Sequence, residues 1–87
     1  MNKYNDPFLA ILPSLDVHGE FEDTVMTYVG SFIEEQYKLG NKKIVVVHGK
    51  GAGILKNKIH ESLRKNRLVS RYYLYNFNIG CTIIELI

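Results

Sequence analysis

The tripeptide Val-His-Gly occurs twice, at residues 17–19 and 47–49, and each copy closes an apolar, extended-type run and precedes a segment of helical periodicity. A 30-residue repeat has the length of one strand-helix unit. Two strands joined by a helix are predicted to lie parallel with a right-handed crossover. Both tripeptides then leave the sheet at the same carboxyl edge, where open α/β sheets bind their ligands.

The rest of the chain is parsed around these two strand ends. Ser14 to His18 alternates polar and apolar residues, so Leu15 and Val17 share one face of a strand and Ser14, Asp16 and His18 the other. Glu20, Glu22 and Asp23 form an acidic first turn. Val25, Val29, Phe32, Ile33 and Tyr37 then recur at helical spacing, which predicts a helix to about Leu39, stopped by Gly40-Asn41. Ile44 to Val47 is β-branched without alternation, the pattern of a central strand covered on both faces. Leu55, Ile59 and Leu63 predict a second helix over about 54–65. Val69 to Tyr75 and Cys81 to Leu86 read as two further strands, antiparallel across a turn around Asn76, Asn78 and Gly80. Residues 1–13 lack a clean period and are expected to be a docked N-terminal arm, with 14–87 the domain proper. The expected architecture is βαβαββ: a four-stranded mixed sheet covered by two helices, an α/β (α+β) two-layer sandwich.

Composition sets the outer limits. At 87 residues, 46% of them hydrophobic and 10 of them Tyr or Phe, the chain holds one compact core and no second catalytic domain. The single cysteine, Cys81, excludes an intramolecular disulfide and reads as a small buried strand residue. No apolar run approaches the roughly 20 residues of a membrane span, and no signal-peptide pattern opens the chain. A cytoplasmic protein is therefore expected. Net charge is only +2, but it is unevenly placed: Lys3 is the sole base before residue 37, and the other ten Lys and Arg follow it. A basic second half suits a polyanionic partner and equally a solvated surface.

Three groups of residues carry possible chemistry. Asp16 and His18, two apart on a strand, are expected about 7 Å apart along the chain, and a carboxylate that orients an imidazole prepares a general acid or base. A loop-capping carboxylate beside a hydrogen-bonded histidine explains the same pair. Gly49-Lys50-Gly51-Ala52-Gly53 ahead of a helix resembles a phosphate cradle, with backbone amides, a lysine charge and the helix dipole converging on an anion. It has neither the P-loop spacing nor the third glycine of a dinucleotide fold. His48 repeats His18 at the second strand end, with a structural role equally open to it. His60 is expected to be solvated on its helix. One certain carboxylate does not make a two-metal site, so no metal is required, although a divalent ion such as Mg²⁺ remains compatible. The set suits in-line attack on a phosphodiester, with His18 moving protons and Lys50 and the loop amides stabilising charge. RNA carries its own nucleophile in the 2′-OH.

At these residues the chain resembles the Smr (small MutS-related) domain family. Leu15-Asp16-Val17-His18-Gly19 is similar to the family's Leu-Asp-Leu-His-Gly motif, His48-Gly49-Lys50-Gly51 fits His-Gly-x-Gly, and Gly80 to Leu86 is similar to the closing Gly-x-Thr strand. The resemblance covers residues 14 to 87 and implies the βαβαββ fold also seen in the C-terminal domain of translation initiation factor three. It implies an endonuclease that nicks DNA or cleaves RNA, the latter on collided ribosomes in some members. Asp16 and His18 match the catalytic motif, while His48, Gly49, Lys50 and Gly51 match the substrate loop; Gly53 joins the loop on its glycine spacing. Tyr75-Asn76-Phe77-Asn78-Ile79 stands where many members have a glycine-rich loop and offers an aromatic stacking surface. The chain reads as a stand-alone bacterial-type member. A non-catalytic nucleic-acid-binding module, and a domain docking on a ribosome or repair factor, are the competing readings.

Overall fold

The structure is a computed structural model that describes residues 7–51 and 53–87. Its elements run α1 (Pro7–Ala10), β1 (Ser14–Asp16), α2 (Glu22–Lys38), β2 (Lys43–Val47), α3 (Ile54–Arg64), β3 (Val69–Tyr75) and β4 (Asn78–Leu86). The four strands form one sheet in the order β1-β2-β4-β3. β1 and β2 are parallel, with Asp16 opposite Val47, and β4 runs antiparallel to both of its neighbours. This is the four-stranded mixed sheet with helices that the sequence leads one to expect.

One sheet face holds the main core. Val25, Val29 and Ile33 of α2 and Ile59 and Leu63 of α3 bury against Val17, Ile44, Val46, Ile84 and Leu86. Each helix thus spends its apolar stripe on the sheet, which supplies most of the free energy that holds a helix of this length in place. The opposite face is not bare. Leu9 of α1 is fully buried there with Val45, Cys81 and Ile83, flanked by Leu12, Val47, Tyr73 and Tyr75. This accounts for the unalternating β-branched run of β2, and it gives part of residues 1–13 a helical turn; residues 1–6 of that arm lie outside the described residues.

Three local expectations change. β1 stops at Asp16, so Val17 and His18 belong to the turn that follows, where Glu20 N–H donates to the Val17 carbonyl and Gly19 takes φ +81°. α2 begins at Glu22 because Phe21 is extended and occupies the N-cap. The β3–β4 turn is confined to Asn76-Phe77, and Asn78 and Gly80 are strand residues. Asn78 Oδ1 accepts the Gly80 N–H at 3.0 Å, and the Gly80 carbonyl accepts the amides of His48 and Gly49 at 2.9 and 3.0 Å. These residues of turn-forming type are used for a local side-chain bond and for close backbone approach.

Candidate active site

The parallel pairing of β1 with β2 brings the two Val-His-Gly copies side by side. Val17 N–H donates to the Val47 carbonyl at 2.8 Å, and a Cβ on Gly49 would stand 3.4 Å from the His18 Cβ. Asp16 and His18 are closer than their spacing on a strand predicts. Because the chain turns after Asp16, its Oδ1 accepts both the His18 backbone N–H at 3.1 Å and the ring Nδ1–H at 2.6 Å. A carboxylate only accepts, so this bond places the proton on Nδ1 and leaves Nε2 its lone pair. The Asp16 hydrogen bond, reinforced by its charge, raises the His18 pKa above the ordinary value. Both side chains stay open to water, 67% exposed for His18 and 57% for Asp16.

His18 faces a cleft of about 370 Å³ lined also by Gly19, His48, Gly49, Lys50, Gly51 and the start of α3 from Gly53 to Lys56. On the other side of Lys50, a hollow of about 440 Å³ joins Asp16 and His18 to Asn78 and Gly80. The helix start leaves the first amides of α3 without intrahelical carbonyls, and Lys50 and Lys56 add two ammonium groups at the same cleft. Gly53 holds φ +88° as the N-cap of α3, and Gly49 has the same φ. The cradle differs from its simplest form in one respect: the Gly49 amide is engaged by the Gly80 carbonyl and is not available to an anion. Ala52 lies outside the described residues.

His48 sits in this loop with only 5% of its surface exposed, and both ring nitrogens are engaged inside the protein. Its Nδ1 lies 3.0 Å from the Gly49 carbonyl, which requires Nδ1–H; its Nε2 therefore accepts from the Thr82 hydroxyl at 2.8 Å. Thr82 has a single proton to give. His60 Nε2, also 2.8 Å from Thr82 Oγ1, must then be the donor. The result is a directed chain from His60 through Thr82 and His48 to the Gly49 carbonyl, with both imidazoles neutral. Burial is the main cause that lowers both histidine pKa values; Lys56 opposes a proton on either ring, and a protonated His48 would oppose one on His60 as well. Among the described residues every buried side-chain nitrogen and oxygen has a partner.

His60 corrects its expectation of a solvated side chain: it is half-buried, packed edge-on to Tyr72 at 4.9 Å and bonded to Thr82. The inward arc of α3 is wider than its aliphatic stripe, because Tyr72 and Thr82 offer an aromatic and a polar partner next to Ile59. Thr82, which the sequence offers only as the threonine of the closing Gly-x-Thr strand, and Lys56 shape the site without being among its expected residues. The alternation of β4 gives a signal for Thr82, since it puts that residue on the core face with Ile84 and Leu86. No group of three or more His, Cys, Asp or Glu able to hold a metal ion occurs among the described residues, and no helix among them is long and apolar enough to cross a membrane.

Comparison with known proteins places this geometry. The Endonuclease MutS2 of Clostridium acetobutylicum is 34% identical over 80 residues, 88% of this chain and 10% of that protein. The Endonuclease MutS2 of Caldanaerobacter subterraneus subsp. tengcongensis is 33% identical over 85 residues, 94% of this chain and 11% of that one. The chain thus spans about a tenth of the length of these curated relatives. Among solved structures, the Smr domain of Thermus thermophilus MutS2 superposes with a TM-score of 0.84 at 26% identity, covering 87% of this chain and 99% of that one. YdaL, a stand-alone small MutS-related protein from Escherichia coli, shares the fold with a TM-score of 0.79 at 21% identity, covering 84% and 63%. The Smr domain family model matches residues 15–86, so the chain, from the strand before its first Val-His-Gly to the end of β4, belongs to the Smr domain family.

Proposed function

We propose that this domain is an endonuclease that cuts phosphodiester bonds, RNA in preference to DNA, with His18 as its general base. The observation that carries the reading is the 2.6 Å bond between Asp16 and His18 at the mouth of a cleft that also holds Lys50. The relatives' name, Endonuclease MutS2, agrees with it.

With Nδ1–H committed to Asp16, His18 Nε2 accepts the proton of the attacking oxygen, the 2′-OH in RNA. The 2′-oxygen bonds to phosphorus, the bond to the 5′-oxygen breaks on the opposite side, and water protonates the leaving oxygen. The products are a 2′,3′-cyclic phosphate and a 5′-OH. Lys50, Lys56 and the first amides of α3 stabilise the charge that builds on the phosphoryl oxygens. Gly49 and Gly53 shape the Lys50 loop and His48 fixes it from beneath. No metal is required in this scheme; a divalent ion such as Mg²⁺, if used, would act on the substrate phosphate.

Labelled RNA and DNA of one sequence, incubated with and without chelator, test it. The expected result is RNA cleavage that survives chelation, ends in cyclic phosphate, and falls by about 10²- to 10⁴-fold in His18→Ala, the usual contribution of general acid-base catalysis. Activity equal in the wild type and His18→Ala would overturn the assignment. The openness of the Asp16–His18 pair favours one second reading, a nucleic-acid-binding module without catalysis, since catalytic pairs commonly work with water excluded. Binding that depends on Lys50, with no cleavage of either substrate, would establish it.

A further inference from the structure

The β3–β4 turn carries a second surface that the cleft chemistry does not use. Phe8 of α1 stacks nearly parallel on Tyr75, with ring centroids 5.8 Å apart and planes 10° from parallel, and Phe77 meets Tyr75 edge-on at 5.5 Å. Phe77 is 76% exposed and Phe8 43%, a large outlay of apolar ring surface to water. A cation flanks the rings: the Lys43 ammonium lies 5.7 Å from the Phe8 centroid. Beside them opens a hollow of about 380 Å³, of which Leu74 and Asn76 are part of the lining.

This hollow connects toward the proposed active site through an intermediate one. Leu74 also borders a smaller hollow of about 190 Å³ that shares Lys50 and Lys56 with the His18 cleft. Asn78, paired with Tyr75 across the turn, lines the hollow that holds Asp16 and His18. A chain of nucleotides crossing the Lys50 loop therefore reaches the rings by passing over a two-residue turn.

We propose that the Phe8, Tyr75 and Phe77 rings form a base-stacking subsite for single-stranded nucleic acid running through the His18 cleft, an inference that rests on the phosphodiester reading of that cleft. Every base presents a π-face, so aromatic side chains beside a cationic track hold single strands with little regard to sequence. A duplex keeps its bases stacked on one another and gains nothing from the rings. The subsite thus selects unpaired substrate and fixes which side of the scissile phosphate must be unpaired.

The test measures affinity by fluorescence anisotropy at fixed low salt, in a His18→Ala background that lacks the proposed base. Three probes are compared: a short single-stranded RNA, the same strand with abasic residues, and its duplex. Phe77→Ala is expected to weaken the single strand at least fivefold, the low end of what one stacked base supplies, and to leave the duplex and the abasic strand unchanged. Phe77→Trp is expected to restore the affinity. Because Phe77 is exposed, both variants should keep the wild-type melting temperature. Unchanged single-strand affinity in Phe77→Ala, with Lys50→Ala still weakening all three probes, overturns the subsite, leaves the cleft reading standing and hands the ring patch to a protein occupant. No measurable affinity for any probe removes both.

Discussion

Asp16 does two tasks with one oxygen, holding the backbone of the turn and the ring of His18. The consequence is measurable on the ring itself. The His18 imidazole signal in NMR should titrate above pH ~6.5, and in Asp16→Asn it should fall back toward that value. In the wild type the cleavage rate should rise with pH through the His18 pKa and level off above it, since a base must be neutral to act. Thr82 poses the complementary case. Thr82→Val keeps the shape but leaves the His48 Nε2 and the His60 Nε2–H without their buried partner, which should cost about 1–3 kcal/mol in urea unfolding. Thr82→Ser should recover most of it. The motifs made Asp16, His18 and His48 legible as a group, because their spacing places them at strand ends. Their division of work was not legible: His18 and His48 sit in the same tripeptide, yet one ring meets water and the other a threonine from a strand 34 residues away. Sequence spacing has no term for that partner.

Among the elements, the helices and β3 were the most readable because each has a period and a face: Val25, Val29 and Ile33 point to one core, and Val69 to Tyr75 is the strand expected. β1 and the start of β4 were misread at their ends. In both places a side-chain oxygen, from Asp16 or Asn78, captures a backbone amide two residues on; such bonds compete locally with the strand ladder or extend it, and residue type alone does not say which. Gly80 shows the tightest case. A Cβ there would lie 3.2 Å from the Gly49 carbonyl carbon and from Lys50 Cγ, so Gly80→Ala should push the Lys50 loop outward. The expected outcome is weaker binding of single-stranded and duplex probes alike, with circular dichroism unchanged and a loss of about 1 kcal/mol or more in stability. On the far face, Arg71 reaches Glu85 with two bonds of 3.1 Å while Tyr73 donates to the same carboxylate at 2.9 Å. That group lowers the Glu85 pKa, chiefly through Arg71, and ties β3 to β4 behind the aromatic patch.

For the molecule as a whole, charge and pH give the integrating tests. If phosphates sit on Lys50, the slope of log affinity against log salt for single strands should shrink by about 0.7 in Lys50→Ala, whatever the sequence bound. Stability should depend on pH through the buried His48 and the half-buried His60. Their folded pKa values are lowered, so the unfolded chain takes up protons first: the melting temperature should hold above pH ~6.5 and decline as pH falls through the folded values. His18 works in the opposite sense, contributing below its unfolded pKa and losing that contribution as pH rises through its raised one. Its side chain is open to solvent, which screens the effect, so the acid-side decline should dominate. The topology also carries a consequence for the birth of the chain. β4 comes last among the strands yet lies in the interior of the sheet, and its Gly80 carbonyl secures the His48–Gly49 backbone. A nascent chain lacking those residues has a sheet without its middle and a loop without its anchor. If the domain cuts RNA, as proposed above, it stays unarmed on the ribosome that makes it until β4 has emerged.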